Sequence, residues 1–335
     1  MTAVSDSRTA DSMTAEEFAR LTEPFRAEML AHCYRMLGSV HDAEDQVQET
    51  MVRAWRSYGQ FEGRSTLRTW LYRIATNACL RAIETRRRRP LPSGLGAPAE
   101  PGTPLSAEHP EVGWLEPIPD ALFTVAPADP AQVAVSRQSM RLALVAALQY
   151  LPGRQRAVLI LRDVLGWRAA EVADLLGVTT VAVNSLLQRA RAQLGEAVPA
   201  ESEIREPDHG QERALLDRYA AAFETADVDG LLRLLRADAG FEMPPQPAWF
   251  TGRGAIGQFL ADVVLTEPDR FLMRPVAANG QPALAGYLRD RDGVYRAHAI
   301  QVITVSGPLI SHVVSFNDPG LLGVFGLPPV LGRDG

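Results

Sequence analysis

The sequence predicts a multidomain protein in which two all-α helical domains, the second built on a helix-turn-helix, precede an α+β domain with an antiparallel sheet. Three observations predict this order. Apolar residues recur at intervals of three and four through residues 16–89 and 137–195, the period of helices with one buried face. Between them, Pro90 to Ser136 contains no Arg or Lys and is dominated by Pro, Gly, Ala, Glu and Asp, the texture of a linker. Beyond residue 210, helical segments give way to strand-like runs punctuated by Asn279-Gly280, Asp292-Gly293 and Ser306-Gly307, each a hairpin signal. A chain of 335 residues exceeds what one apolar core organises, so two or three domains are expected.

Residues 1–15 are polar and read as a disordered tail. The first helical domain spans 16–89, where Phe25, Met29, Leu30, Cys33, Met36 and Leu37 mark one apolar face. Gly38-Ser-Val-His41 breaks that pattern, and Asp42 is expected to cap a helix running to about Trp55. A turn rich in Gly and Ser, Tyr58 to Thr66, precedes a helix from about Leu67 to Arg86, whose basic end suits the negative pole of its dipole. Residues 90–136 form the acidic, Pro-rich linker, although Val112 to Asp120 is too apolar for a free spacer and is expected to dock. The second helical domain spans 137–196, a polar junction covers 197–210, and the α+β domain occupies 211–330. Its helices are expected near Gln211–Thr225, Val228–Leu235 and Ala255–Val264.

Composition narrows the function classes. The net charge of -6 excludes an indiscriminate polycation, so binding to nucleic acid has to come from local basic surfaces. Every Lys-or-Arg position is Arg, which a GC-rich genome explains as readily as a need for bidentate phosphate contacts. Cys33 and Cys79 lack C-x-x-C spacing and read as buried reduced thiols, so no metal and no other cofactor is expected. The amino terminus lacks the apolar core of a signal peptide, and no apolar stretch nears the ~20 residues that cross a bilayer, so a cytoplasmic protein without a membrane partner is expected.

Within the first domain the charge reverses along one helical block. Asp42-Ala-Glu-Asp-Gln-Val-Gln-Glu49 is acidic, while Arg53, Arg56, Arg64, Arg68, Arg73, Arg81 and Arg86 to Arg89 make the remainder of the domain basic. One-signed stretches in series fit a small domain wedged between a basic protein surface and a nucleic acid. A second nucleic-acid signal is Trp167-Arg-Ala-Ala-Glu-Val-Ala-Asp-Leu-Leu-Gly-Val-Thr-Thr-Val-Ala-Val-Asn184. Ala173 is small where two helices cross, Gly177 supplies the turn, and Val183 closes the core. The helix starting near Thr179 then projects Thr180, Asn184, Ser185 and Gln188 toward base edges, with Arg189 and Arg191 behind them for phosphates.

Taken in order, Asp42 to Trp55, Thr69-Trp-Leu-Tyr-Arg-Ile-Ala-Thr-Asn77 and the helix-turn-helix resemble regions 2 and 4 of the extracytoplasmic-function (group 4) sigma factors of bacterial RNA polymerase. The resemblance covers about residues 16–196. It implies that the chain joins core RNA polymerase at the clamp helices and flap, and recognises promoter DNA, both duplex and single-stranded. By the same resemblance Asp45, Gln48 and Glu49 grip the clamp helices, with Arg53 on the same face. Gln46 departs from the family, where an apolar residue is usual. Phe61, Arg64, Arg73, Asn77 and Arg81 match elements that hold the opened minus-ten element, where an extruded base needs a π surface and hydrogen bonds to offset unstacking. Thr180, Asn184, Ser185, Gln188, Arg189 and Arg191 match the minus-thirty-five reader, and the linker resembles the segment that threads the polymerase cleft.

Gln211 to Pro328 resembles, by pattern, the fold shared by ketosteroid isomerase and SnoaL-like polyketide cyclases, which implies a cone-like domain with a curved antiparallel sheet. Some sigma factors of this group carry such a domain as a built-in regulator, and Trp249 to Leu260 and Phe316-Asn-Asp-Pro-Gly320 resemble theirs. Isomerase chemistry needs a carboxylate base and an opposed acid; Glu242, Asp262, His298 and His312 qualify by type, but no spacing pairs them. No catalytic residue is assigned and no enzyme is expected. Two roles stay open for the cone: a small apolar ligand in a cavity lined by Phe241, Trp249, Phe259 and Tyr287, or docking to protein. Two rival readings stay open for the chain. A helix-turn-helix regulator acting without polymerase leaves the acidic helix unexplained, and an enzyme with a DNA-binding appendage requires a carboxylate and a donor converging in the cone.

Overall fold

The computed structural model describes residues 13–85, 88–102, 105, 111–123, 138–197 and 209–332. Most of the tail expected at 1–15, much of the linker, most of the 197–210 junction, and Arg86 and Arg87 lie outside the described residues. Helix α1 (Ala15–Thr22) starts inside the expected tail, because Thr14 and Glu17 cap it reciprocally: the Thr14 hydroxyl accepts from the Glu17 amide at 3.2 Å and the Glu17 carboxylate accepts from the Thr14 amide at 2.8 Å. Helix α2 (Arg26–Leu37) ends at Gly38, whose φ of 72° is left-handed. The cap of α3 (Val40–Ser57) is Ser39 rather than Asp42, because the Ser39 hydroxyl accepts from the Asp42 amide at 3.1 Å. Asp42, inside the first turn, instead pairs with Arg89 at 2.6 Å and pins the end of the basic stretch. Helix α4 (Leu67–Thr85) completes the first domain.

Met29, Cys33, Tyr34, Met36, Leu71, Tyr72 and Cys79 are buried where α2, α3 and α4 meet. His32 is buried among them, with Nε2 2.9 Å from the Thr76 hydroxyl and Nδ1 without a partner. Burial, reinforced by the Arg35 guanidinium, pushes its pKa from 6.5 down to about 3. The folded protein therefore keeps this imidazole neutral at pH values where the unfolded chain protonates it. Its contribution to stability is complete above pH 6.5 and is lost as pH falls toward 3. With a limiting slope of about 1.4 kcal/mol per pH unit, about 2 kcal/mol should go between pH 7 and pH 5. Urea titrations of wild type and His32→Gln check this, the variant being expected to lack that share of the slope.

The second domain consists of α5 (Leu142–Leu148), α6 (Gly153–Leu159) with a wider turn continuing to Val164, α7 (Ala169–Leu176) and α8 (Thr180–Ala197). Gly177, with φ of 65°, turns the chain between α7 and α8, and the Thr179 hydroxyl accepts from the Ala182 amide at 3.1 Å to start α8. Ala173 and Val183 are buried at the crossing, as their size and spacing require.

The carboxy-terminal domain runs α9 (His209–Glu224), α10 (Val228–Leu234), β1 (Leu235–Glu242), β2 (Trp249–Thr251), α11 (Arg253–Phe259), β3 (Phe271–Ala278), β4 (Gln281–Arg289), β5 (Tyr295–Ser306), β6 (Leu309–Phe316), α12 (Gly320–Val324) and β7 (Val330–Leu331). Strands β3 to β6 form an antiparallel meander through all three expected hairpins. Strand β1 joins β6 in parallel, so the sheet, in the order β2-β1-β6-β5-β4-β3, is mixed rather than wholly antiparallel. The long return from β1 through α11 and the meander permits that parallel pairing, which no tight turn could make. Leu215, Tyr219, Phe223, Phe241, Phe259 and Ile303 fill the face under the helices. The opposite face, with Ala283, Ile300, Val302, Val314 and Phe316, merges into one apolar core with the two helical domains.

Candidate functional site

On α3, Asp45 and Gln48 are exposed and Glu49 is half-buried; spaced by three and four, they share one face. Arg53, one turn further, pairs with Glu49 through Nε and Oε1 and extends the same face. Val52, 43% exposed, and Trp55, 37% exposed, add apolar surface beside it. Reading the sequence for charge passed over Val52, although its place four residues after Gln48 was the available signal. Trp55 packs on Phe18 at 5.4 Å without leaving the surface. In the loop after α3, Phe61 is half-buried, its ring 5.0 Å from Trp70 and 6.1 Å from Tyr58. Arg64 is exposed and pairs with Glu62 at 2.9 Å.

The face of α4 meets the second domain. Arg73 Nη2 donates to the Asp174 carboxylate on α7, and the Tyr72 ring lies 5.5 Å from Trp167 in an edge-on contact. Gly153, opening α6, packs closely on α4: a Cβ there would lie 3.2 Å from a Leu80 methyl and 3.4 Å from an Ile83 methyl, so those side-chain ends would give by a few tenths of an ångström. Arg73, Asn77 and Leu80 stand at i, i+4 and i+7, so two of the residues expected to hold the minus-ten element, Arg73 and Asn77, share the face that the second domain covers. Asn77 is half-buried there, while Arg81 is exposed. No sequence signal paired Arg73 with Asp174.

On α8 the expected reading row stands open. Thr180, Asn184, Gln188 and Arg189 are exposed, Ser185 is half-buried, and Val181 among them is 72% exposed. Arg191 is exposed as well, with its guanidinium folded back onto Asp163 at 2.7 Å. Such an exposed pair is weak, at about 0–1 kcal/mol, so phosphate can compete for it.

The β3–β4 hairpin enters the junction of all three parts. Asn279 is 0% exposed and adopts φ of 58°, a left-handed conformation that Asn tolerates. Its Nδ2 donates to the Tyr34 hydroxyl at 2.8 Å and to the Met140 carbonyl at 2.9 Å, and its Oδ1 accepts from the Ile118 amide at 3.1 Å. Beside it the Gly280 amide donates to Asp120, and Gln281 accepts from the Leu142 amide, each at 2.8 Å. The apolar linker segment thus docks: Leu115 and Ile118 are fully buried. A second latch holds the linker further back. Glu242, 1% exposed, accepts from the Ser93 amide at 2.8 Å, from the Ser93 hydroxyl at 3.0 Å, and contacts His312 Nε2 at 2.7 Å.

The Glu242–His312 pair, unforeseen because its members lie seventy residues apart, arises from the parallel β1–β6 register. Phe241 belongs to the inner core, so Glu242 faces the other side of the sheet. Inside, the polar pair is neutral: the Tyr219 hydroxyl donates to Gln301 at 3.1 Å. Asp262 is exposed, and burial lowers the pKa of His298. The four residues expected to line one cavity separate. Phe241 and Phe259 pack in the inner core, Trp249 Nε1 donates to Gly96 of the linker at 2.9 Å, and Tyr287 lies in the outer core.

Comparison with known proteins agrees with this layout. The family Sigma-70 region 2 matches residues 21–89, Sigma-70 region 4 matches 141–194, and the SnoaL-like domain matches 216–313. The ECF RNA polymerase sigma factor SigG of Mycobacterium tuberculosis is 51% identical over 317 residues, covering 94% of this chain and 85% of the relative. The chain belongs to the extracytoplasmic-function RNA polymerase sigma factors.

The sigma factor SigJ of Mycobacterium tuberculosis is 28% identical over 295 residues, 85% of this chain and 86% of its own. Its crystal structure superposes with a TM-score of 0.59 at 24% identity, covering 93% of this chain and 99% of that one, and shares the order of helical domains and cone. This sigma factor therefore binds core RNA polymerase and promoter DNA in transcription initiation, and carries a SnoaL-like domain behind region 4. Among its described residues no single helix is long and apolar enough to cross a membrane.

Proposed function

We propose that this sigma factor is held shut by its own cone. Residues 16–89 dock on core polymerase through Asp45, Gln48, Glu49 and Arg53, and hold the opened minus-ten element with Phe61, Arg64, Arg73, Asn77 and Arg81. Residues 137–196 read the minus-thirty-five element with Thr180, Asn184, Ser185, Gln188, Arg189 and Arg191, and residues 211–330 govern when the two helical domains part. The observation that carries this reading is the buried Asn279 side chain, bonded at once to Tyr34, Ile118 and Met140. The covered α4 face supports it, since Arg73 cannot hold DNA and Asp174 together. The cone acts by docking and catalyses nothing. Its buried carboxylate is spent on the linker, and its inner face offers a neutral Tyr–Gln pair where an isomerase needs a base. Docking is favoured over a small apolar ligand because the aromatic residues named for a cavity do not share one.

Leu80→Cys with Gly153→Cys places two thiols across the α4–α6 contact. Oxidation should lower promoter-directed run-off transcription at least about tenfold, and reductant should restore it in the same sample. Equal transcription by the oxidised and reduced forms would refute the shut state. Wild type, whose Cys33 and Cys79 are buried, is the control for the oxidant.

A further inference from the structure

We propose that the cleft between α4 and α6 binds a small phosphate ester of mononucleotide size, with Arg88 as the donor and the buried charge of Arg156 behind it. The inference rests on the shut arrangement proposed for the cone, since the two helical domains each supply one wall. The cleft measures about 320 Å³ and opens beside Arg88, Arg89 and Arg156, with Asp42 as the carboxylate in its lining. Asp42 already pairs with Arg89, and among the described residues neither Arg88 nor Arg156, which also line the space, has a carboxylate partner.

Arg156 is the more telling of the two. It is 4% exposed, and its terminal nitrogens donate to the Met36 carbonyl, to the Gln149 side chain and carbonyl, and to the Leu151 carbonyl, all neutral acceptors. Its Nε is buried without a partner. Burial pulls its pKa down to about 10, so it remains a cation at neutral pH. Arg88 is exposed, lies 4.1 Å over the Tyr150 ring, and makes one long contact of 3.4 Å to the Gly94 carbonyl. Uncompensated charge at such depth is costly, and a ligand carrying two negative charges would cancel it.

The terminal N–H groups of Arg156 are spent on those acceptors, so Arg156 contributes charge and Arg88 supplies the fork, whose geometry suits phosphate better than a carboxylate of one charge. Ile83 and Leu151 supply apolar wall for the body of the ester, and the volume sits at the lower end of the roughly 300–1,000 Å³ typical of small-molecule sites. Because Ile83 belongs to region 2 and Leu151 to region 4, an occupant would tie the two together. The phosphate could belong to a free metabolite or to a DNA backbone; the second domain already covers α4 beside the cleft, which favours the free ligand.

The test titrates the full chain calorimetrically with adenosine monophosphate and with inorganic pyrophosphate at constant ionic strength. Saturable binding of at least one probe is expected, weakened about tenfold by Arg88→Gln and unchanged by Arg291→Gln on the distant β4–β5 turn. No saturable binding of either probe, or equal affinity in Arg88→Gln, overturns the site. A duplex of unrelated sequence that displaces the probe, and loses affinity in Arg88→Gln, assigns the phosphate to DNA and overturns the free-ligand proposal. Binding that obeys these expectations while the Leu80–Gly153 cross-link leaves transcription unaltered upholds the site and refutes only the shut state.

Discussion

Asn279→Asp is expected to release the cone from both helical domains while each part stays folded. The substitution exchanges one nitrogen for oxygen and tolerates the same left-handed backbone. The exchanged atom now faces the Met140 carbonyl and the Tyr34 oxygen, whose own proton is already given to the Glu116 carbonyl at 2.7 Å. Two donations become two repulsions around a buried charge, a cost of roughly 3–5 kcal/mol. That is comparable to the energy of a docking interface. Small-angle scattering should show a larger radius of gyration, with far-ultraviolet dichroism retained and promoter binding strengthened. Asn279→Gly, which removes the side chain without adding charge, should fall between variant and wild type. Scattering and promoter affinity identical to wild type in Asn279→Asp would remove the hairpin from any regulatory role.

Asp45→Arg should abolish assembly with core polymerase while leaving the free chain unharmed. Asp45 is exposed and has no hydrogen bond or ion pair among the described residues, so its replacement should change folding stability by no more than about 0.5 kcal/mol. Against a basic partner surface the reversal turns attraction into repulsion, costing several kcal/mol, or at least about a hundredfold in affinity. Co-elution with core enzyme on gel filtration, read beside a thermal melt of the free protein, separates the two effects. Retained co-elution with an unaltered melt would move the polymerase contact off this face, and Val52 and Trp55 would be the next positions to vary.

What could be read from the chain was local. Gly38 and Gly177 stop helices because nothing else takes their left-handed φ so readily, and Asn279-Gly280, Asp292-Gly293 and Ser306-Gly307 turn hairpins for the same reason. The amphipathic α3 and the open row on α8 follow from periodicity. Ser39 and Asp42 are both good caps three residues apart, and only the folded backbone chose between them. The rest was illegible because it is non-local. Glu242 finds His312 through strand adjacency, Ser93 finds Glu242 across the linker, and Arg73 finds Asp174 across two domains, each at a separation that leaves no spacing to read. Tyr287 lies on the outer face by plain alternation, two and four residues beyond Ala285 and Ala283, while Leu284 and Leu288 point inward.

The buried turn at Asn279 grips three segments with a single side chain, so none can leave without loosening the other two. Under the shut-state reading this makes the hairpin a point of reciprocal linkage. Polymerase tugging on region 2 and promoter tugging on region 4 would break the same set of bonds, so whichever arrives first reduces the work left to the second. The two encounters would reinforce each other by equal factors although their surfaces never touch.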